Sequence, residues 1–222
     1  MKKTLLIYLA LLLTSTIFAQ DVCAELMKFN DYKKNVNRTY RMKSTTEGIG
    51  QSVTMECDGK GKIHQWMTME MGGQSMKMES VIAGNMMYMN QNETGWQSQK
   101  LDSAQMQSIK SQWENNQLQF FKNCQKLENE TVDGKKYRVY RGEYDGKKML
   151  EMMGESAKNM PNAEMMSKME MKMTFYINDK NDVEITKMKM DMQGRIISTE
   201  MVYEYDLPIT VNIPQLPAEK KD

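Results

Sequence analysis

The chain has 222 residues, with 30 lysines and arginines against 29 aspartates and glutamates. That balance leaves no global field to recruit nucleic acid or an anionic membrane surface. One histidine, three cysteines and the absence of Gly-x-Ser-x-Gly, His-Glu-x-x-His or Cys-x-x-Cys leave no recognisable nucleophile or metal constellation, so an enzyme is not expected.

Residues 1–20 open with Lys2 and Lys3, run apolar from Leu5 to Leu13 and end at Ile17-Phe18-Ala19-Gln20. This is the pattern of a signal peptide cut near Ala19/Gln20. The apolar run is short for a membrane span, and no later stretch approaches the roughly 20 apolar residues that a spanning helix needs. Cys23 follows Val22 several residues past the cut, which argues against a lipid anchor at that cysteine. The expectation is an exported, periplasmic protein whose residues 21–222 form a single domain, since no Pro/Gly/Ser-rich linker divides them.

Asp21 can cap a short helix on which Val22, Leu26 and Phe29 recur at helical spacing. A series of strands follows. Tyr40 and Met42 alternate with Arg41 and Lys43, and Val53, Met55 and Cys57 alternate with polar neighbours. Asp58-Gly59-Lys60-Gly61 turns the chain into a strand at Ile63–Met71, Gly72-Gly73 into Gln74–Ala83, and Gly84-Asn85 into Met86–Asn90. Hairpin signals at this spacing predict an antiparallel meander. From Asp102 the period changes, with Met106, Ile109, Trp113 and Phe120 spaced along one face of a helix that ends near Phe121 and covers the sheet. Strands resume at 124–131 and 137–144 around an Asp133-Gly134 turn.

Methionine is the most telling component, at 26 residues. Within the predicted strands the clusters are Met67, Met69 and Met71; Met76 and Met78; Met87 and Met89; Met169, Met171 and Met173; and Met188, Met190 and Met192. Side chains two apart on a strand share a face, so each cluster sets its thioethers on one side of a sheet, with Thr68, Glu70, Lys77, Glu170, Lys172, Lys189 and Asp191 on the wetter side. The stretch 146–168 carries methionines at mixed spacings of three, four and seven, with Pro161 suited to a first helical turn, and reads as a Met-rich helical insertion. Strands are predicted again at 169–177, 183–192 and 195–205. In the middle one Val183 and Ile185 are odd-numbered and the methionines even-numbered, which a bulge near Thr186 or Lys187 would reconcile. Pro208 to Pro214 is predicted as an edge strand bounded by prolines. The total is about ten or eleven antiparallel strands with a few helices, an α+β half-barrel pattern. Three cysteines permit one disulfide. Sequence alone does not choose the pair; Cys23 with Cys124, both flanking helices, is favoured over pairings of Cys57, which falls on the apolar side of a strand.

The order of short helix, meander, covering helix and closing strands resembles the LolA-type lipoprotein carriers and related periplasmic lipid-binding half-barrels. The local echoes are Gly84-Asn-Met-Met-Tyr88 followed by Gly95-Trp96, then Glu130-Thr-Val-Asp-Gly-Lys-Lys-Tyr137, and the ending Tyr203-Glu-Tyr-Asp-Leu-Pro-Ile-Thr-Val-Asn-Ile-Pro214. The resemblance implies an unclosed antiparallel β-barrel whose concave apolar face, covered in part by helices, holds an acyl chain, with an envelope protein as a possible partner. Methionine stands here where relatives would mostly carry leucine, isoleucine and aromatics.

Three readings of the methionines follow. They could fill an ordinary core, since the chain has few leucines after residue 20. They could line a site for a lipid or lipoprotein acyl chain, because thioethers are flexible and re-pack against varied apolar shapes; Met67, Met69, Met71, Met76, Met78, Met87, Met89, Met171, Met173, Met188, Met190 and Met192 are then the candidate lining, and 146–168 a lid. Or they could bind a soft cation such as Cu(I), with Met67, Met69 and Met71 as the candidate ligands. His64 and Trp66 face away from Met67 and Met69 in a regular strand and could join them only across a bulge.

Overall fold

A computed structural model describes residues 22–29, 37–71, 73–114, 121–153, 167–168, 170–192 and 194–216. The predicted signal peptide, the Asp21 cap and most of the predicted insertion lie outside these residues. Twelve strands are described: β1 (Thr39–Glu47), β2 (Gln51–Asp58), β3 (Ile63–Met71), β4 (Gln74–Ala83), β5 (Met86–Gln91), β6 (Gln97–Lys100), β7 (Phe121–Lys126), β8 (Glu130–Val132), β9 (Lys135–Asp145), β10 (Glu170–Ile177), β11 (Val183–Met192) and β12 (Arg195–Tyr205). Helix α1 covers residues 22–29, α2 is Ser103–Glu114 and α3 is Gly146–Met153. No described helix is long and apolar enough to cross a membrane.

The strands form one sheet in the order β6-β5-β4-β3-β2-β1-β12-β11-β10-β9-β7, with β8 paired to β9 off that path. The run has two ends, β6 and β7, so the fold is an α+β, unclosed antiparallel barrel. The strand count exceeds the expected ten or eleven because β6 adds a strand at Gln97–Lys100 and the stretch expected as one strand at 124–131 divides into β7 and β8 around Leu127–Asn129. The expected edge strand at 208–214 is absent: residues 207–216 carry no strand pairing. Pro208 and Pro214 have no N–H to give a ladder, and Ile209 N–H instead folds back on the Leu207 carbonyl at 2.8 Å.

The chain divides into two compact units. One holds α1 and strands β7 to β11; the other holds β1 to β6, α2 and nearly all of β12.

In the first unit both sheet faces are apolar. Tyr137, Val139, Tyr176 and Ile185 form a buried cluster joined by Leu127 and Val132, the latter brought over by the β8–β9 hairpin. That hairpin turns at Asp133 (φ 48°) and Gly134 (φ 78°), the two left-handed positions of a type I′ turn, which Asp-Gly tolerates best. On the opposite face lie Tyr140, Phe175 and Phe121, with Phe121 meeting Phe175 edge to face at 5.7 Å between centroids. Helix α1 sits here: Leu26 is fully buried, Phe29 meets Tyr140 at 5.5 Å, and the Tyr140 hydroxyl donates to Glu25 at 2.6 Å. Cys23 on α1 is bonded to Cys124 on β7, with Cα atoms 5.1 Å apart, and Cys57 is free and buried. The β7 ladder slips between Lys122 and Gln125, and Asn123 takes φ 51°, a bulge at the residue beside Cys124.

A second bulge corrects the expectation for β11. Tyr176 pairs with Ile185 but Ile177 pairs with Val183, so the extra residue is Glu184, two positions before the expected place. Val183 therefore pairs with Ile177, while Ile185 stays on the face of Tyr137 and Val139. The bulge thus brings Val183 onto the face of Met188 and Met190, while Ile185 remains on the other, and both faces are dry at this end of the strand. Glu184 accepts from Tyr137 Oη and Asn178 Nδ2, each at 2.7 Å. Burial opposes its charge, but those hydrogen bonds and Lys135 prevail and hold its carboxyl below the usual range.

In the second unit α2 begins with a reciprocal cap: Gln105 N–H donates to Asp102 Oδ1 at 2.8 Å and the Gln105 side chain contacts Asp102 N at 3.0 Å. The helix is described to Glu114, short of the expected Phe121, and Phe120 lies outside the described residues. The ladders of β1 with β2, β2 with β3, β3 with β4, β4 with β5 and β1 with β12 run without slips. Residues directly opposed in such a ladder share a face.

Candidate methionine-bearing site

The β3–β4 register sets Met67 opposite Met78 and Met69 opposite Met76, so four thioethers stand together on one face. On β5 the same face carries Met87, opposite Ile82, and Met89, opposite Ser80. All six methionines are half-buried. Met71 pairs with Gln74 at the end of the ladder, and its side chain lies outside the described residues, as does that of Met192.

Amides flank this group from both neighbouring strands. Gln51 Nε2 on β2 donates to Met67 Sδ at 3.2 Å, and Gln91 Nε2 on β5 donates to Met76 Sδ at 3.7 Å. These weak bonds orient the sulfurs without drying the face, since an amide and a thioether both remain compatible with water. Towards β12 the face continues through Val53 and Met55 on β2, Met42 on β1, and Met201 and Tyr203 on β12. Tyr203 Oη donates to Met201 Sδ at 3.7 Å, and burial pushes its phenol up to about 12. Sequence inspection by clusters passed over Met42, Met55 and Met201 because each stands alone on its strand; their alternation with polar neighbours was the available signal.

His64 and Trp66 remain on the opposite face, since no bulge interrupts β3 between Ile63 and Met71 in either ladder. His64 Nε2 meets Glu79 Oε1 at 2.7 Å and its ring lies 3.7 Å from that of Trp66. Beside them Arg41 pairs with Glu56 at 2.6 Å. These contacts lie on the partly buried face that also carries Val81, on the other side of the sheet from the thioethers.

In the other unit the arrangement recurs once. Met171 stands opposite Met190 and Met173 opposite Met188 on β10 and β11. Met173 is buried and the other three are half-buried. On β9 their neighbours are Tyr144 and Gly142. Gly142 leaves the space that Phe121 fills, since a Cβ there would lie 2.5 Å from Phe121 Cδ1. No group of three or more His, Cys, Asp or Glu suited to a metal ion occurs among the described residues.

Sequence comparison matches no family model and no curated protein. Solved structures do match. The Mycobacterium tuberculosis lipoprotein LppX superposes with a TM-score of 0.56 at 13% identity, over 87% of this chain and 99% of that one. LprF from Mycobacterium bovis superposes with a TM-score of 0.53 at 11% identity, over 86% and 97%. A LolA superfamily protein from Nitrosomonas europaea aligns over 88% of this chain with a TM-score of 0.22 and 11% identity, a superposition that adds no argument. The chain thus has the half-barrel fold that its sequence led one to expect, and shares it across nearly the whole length of two mycobacterial proteins.

Proposed function

We propose that the chain is an exported, non-enzymatic periplasmic binding protein that carries a lipid or the acyl chain of a lipoprotein on the methionine-bearing face of β3, β4 and β5. The observation that carries this reading is that all six methionines of that face are half-buried, although their register would allow them to pack as core. An acyl chain would complete their burial, at roughly 0.8 kcal/mol for each methylene removed from water before the costs of ordering are met. Thioethers suit such a ligand because they adjust to chains of different length. Likeness of fold to a lipoprotein supports the envelope setting. Met171, Met173, Met188 and Met190 are a second, smaller candidate surface within their own unit, to which Met192 would add.

Native mass spectrometry of protein purified from the envelope tests the reading. A lipid-sized adduct is expected, and it should be lost when Met69, Met76 and Met78 are replaced by aspartate in a protein that keeps its circular dichroism spectrum. Unchanged lipid retention in that folded variant would overturn the assignment.

A further inference from the structure

Beyond acyl-chain binding, we infer that the chain holds soft monovalent cations, Cu(I) or Ag(I), at two separate four-methionine sites: Met67, Met69, Met76 and Met78 in one unit, and Met171, Met173, Met188 and Met190 in the other. The register carries this. In each unit two methionines two apart on one strand stand directly opposite two on its neighbour. Directly opposed Cβ atoms lie roughly 5 Å apart, and same-face residues along a strand roughly 6.5 to 7 Å apart. Four thioethers thus stand at the corners of a small rectangle. Each has three rotatable bonds, enough for the sulfurs to converge on one ion above its centre.

The in-line set Met67, Met69 and Met71 cannot do this, because its outer members are roughly 13 Å apart along the strand. Cross-strand partners replace Met71. Thioether sulfur selects soft cations, and the divalent ions that prefer oxygen or imidazole find no such ligands among the eight residues. Around the first quartet Gln51 and Gln91 each donate to one sulfur from opposite sides, which fixes Met67 and Met76 and leaves each a second lone pair. Around the second, Gly142 and Tyr144 are the β9 neighbours, and neither carries a charge at neutral pH. The only free thiol, Cys57, is buried, and burial pushes its pKa up, which keeps it from acting as a thiolate competitor at neutral pH.

The test is a titration of the intact chain with Ag(I), and with Cu(I) under anaerobic reducing conditions, read by native mass spectrometry in a Cys57→Ala background. Two ions per chain are expected, with Zn(II) giving none. Replacing either quartet by leucine should reduce the count to one, and replacing both should reduce it to zero. Any retained lipid mass is recorded in the same spectra, so a failure of acyl-chain binding and a failure of ion binding are distinguished. Should leucine disturb folding, single changes Met69→Leu and Met188→Leu should each weaken one ion at least tenfold and leave the other unchanged. Two ions retained after both quartets are replaced, or no ion bound by the starting protein, would overturn the inference.

Discussion

Strands β9 to β11 and strands β3 to β5 both carry cross-strand methionine pairs, yet only the first group also holds a core of fully buried aromatic and branched side chains. On β9 and β10 Val139, Tyr140 and Ile177 are fully buried, aromatic rings meet edge to face, and α1 is tied down by a disulfide. On β3 to β5 the apolar face is methionine beside glutamine and serine, and every described methionine there is half-buried. Val81, the one fully buried residue of β4, lies on the other face, opposite His64 and Tyr88. Alternation makes a face apolar, but rigid shapes that interlock make it a core. A face of flexible thioethers is left able to receive something else.

Substitutions at the two places should differ in scale. Tyr140→Ala removes a fully buried ring and leaves Glu25 without its hydroxyl donor, and should cost about 3–5 kcal/mol in urea unfolding. Gly142→Ala pushes a methyl into Phe121, itself buried, and should cost roughly 1–3 kcal/mol. Met76→Ala, by contrast, should cost about 1 kcal/mol or less, since half of its side chain already meets solvent. A cost at Met76 as large as that at Tyr140 would erase the contrast and return the β3–β5 face to ordinary core.

High pH sharpens the comparison with an effect that vanishes at neutrality. The phenols of Tyr137 and Tyr140 are pushed up to about 12, first by burial and then by the Glu184 and Glu25 carboxylates they bond, and that of Tyr203 by burial. In the unfolded chain these groups ionise near 10. The folded state therefore keeps protons that the unfolded state has lost, so stability is intact below pH 10 and falls as pH rises towards 12. Absorbance at 295 nm should show a late-titrating fraction that merges into one step near pH 10 in urea.

The strand boundaries were legible where turn chemistry was explicit. Gly84-Asn85 and Asp133-Gly134 place hairpins that the structure contains, and Val183–Met192 and Arg195–Tyr205 have the bounds that alternation gives. The disulfide could be favoured because Cys57 belongs to a strand face and the other two cysteines flank helices. Three features were not legible. The bulge at Glu184 depends on which face Tyr137 and Val139 occupy, a long-range fact. Residues 208–214 have an alternating pattern, but the Ile209 N–H turns back to the Leu207 carbonyl and the segment joins no ladder. The two methionine quartets depend on cross-strand register, which no spacing along one strand reveals.

The central claim is that the β3–β5 methionine face is kept open for an apolar ligand. Peroxide footprinting tests it most directly: sulfoxide formation is followed at each methionine by peptide mass spectrometry, with and without a long-chain fatty acid. Met67, Met69, Met76, Met78, Met87 and Met89 should oxidise readily in the free protein and be protected together by the ligand, while buried Met173 reacts slowly in both. Oxidation rates on β3 to β5 that the fatty acid leaves unchanged, with the ligand bound, would contradict the account.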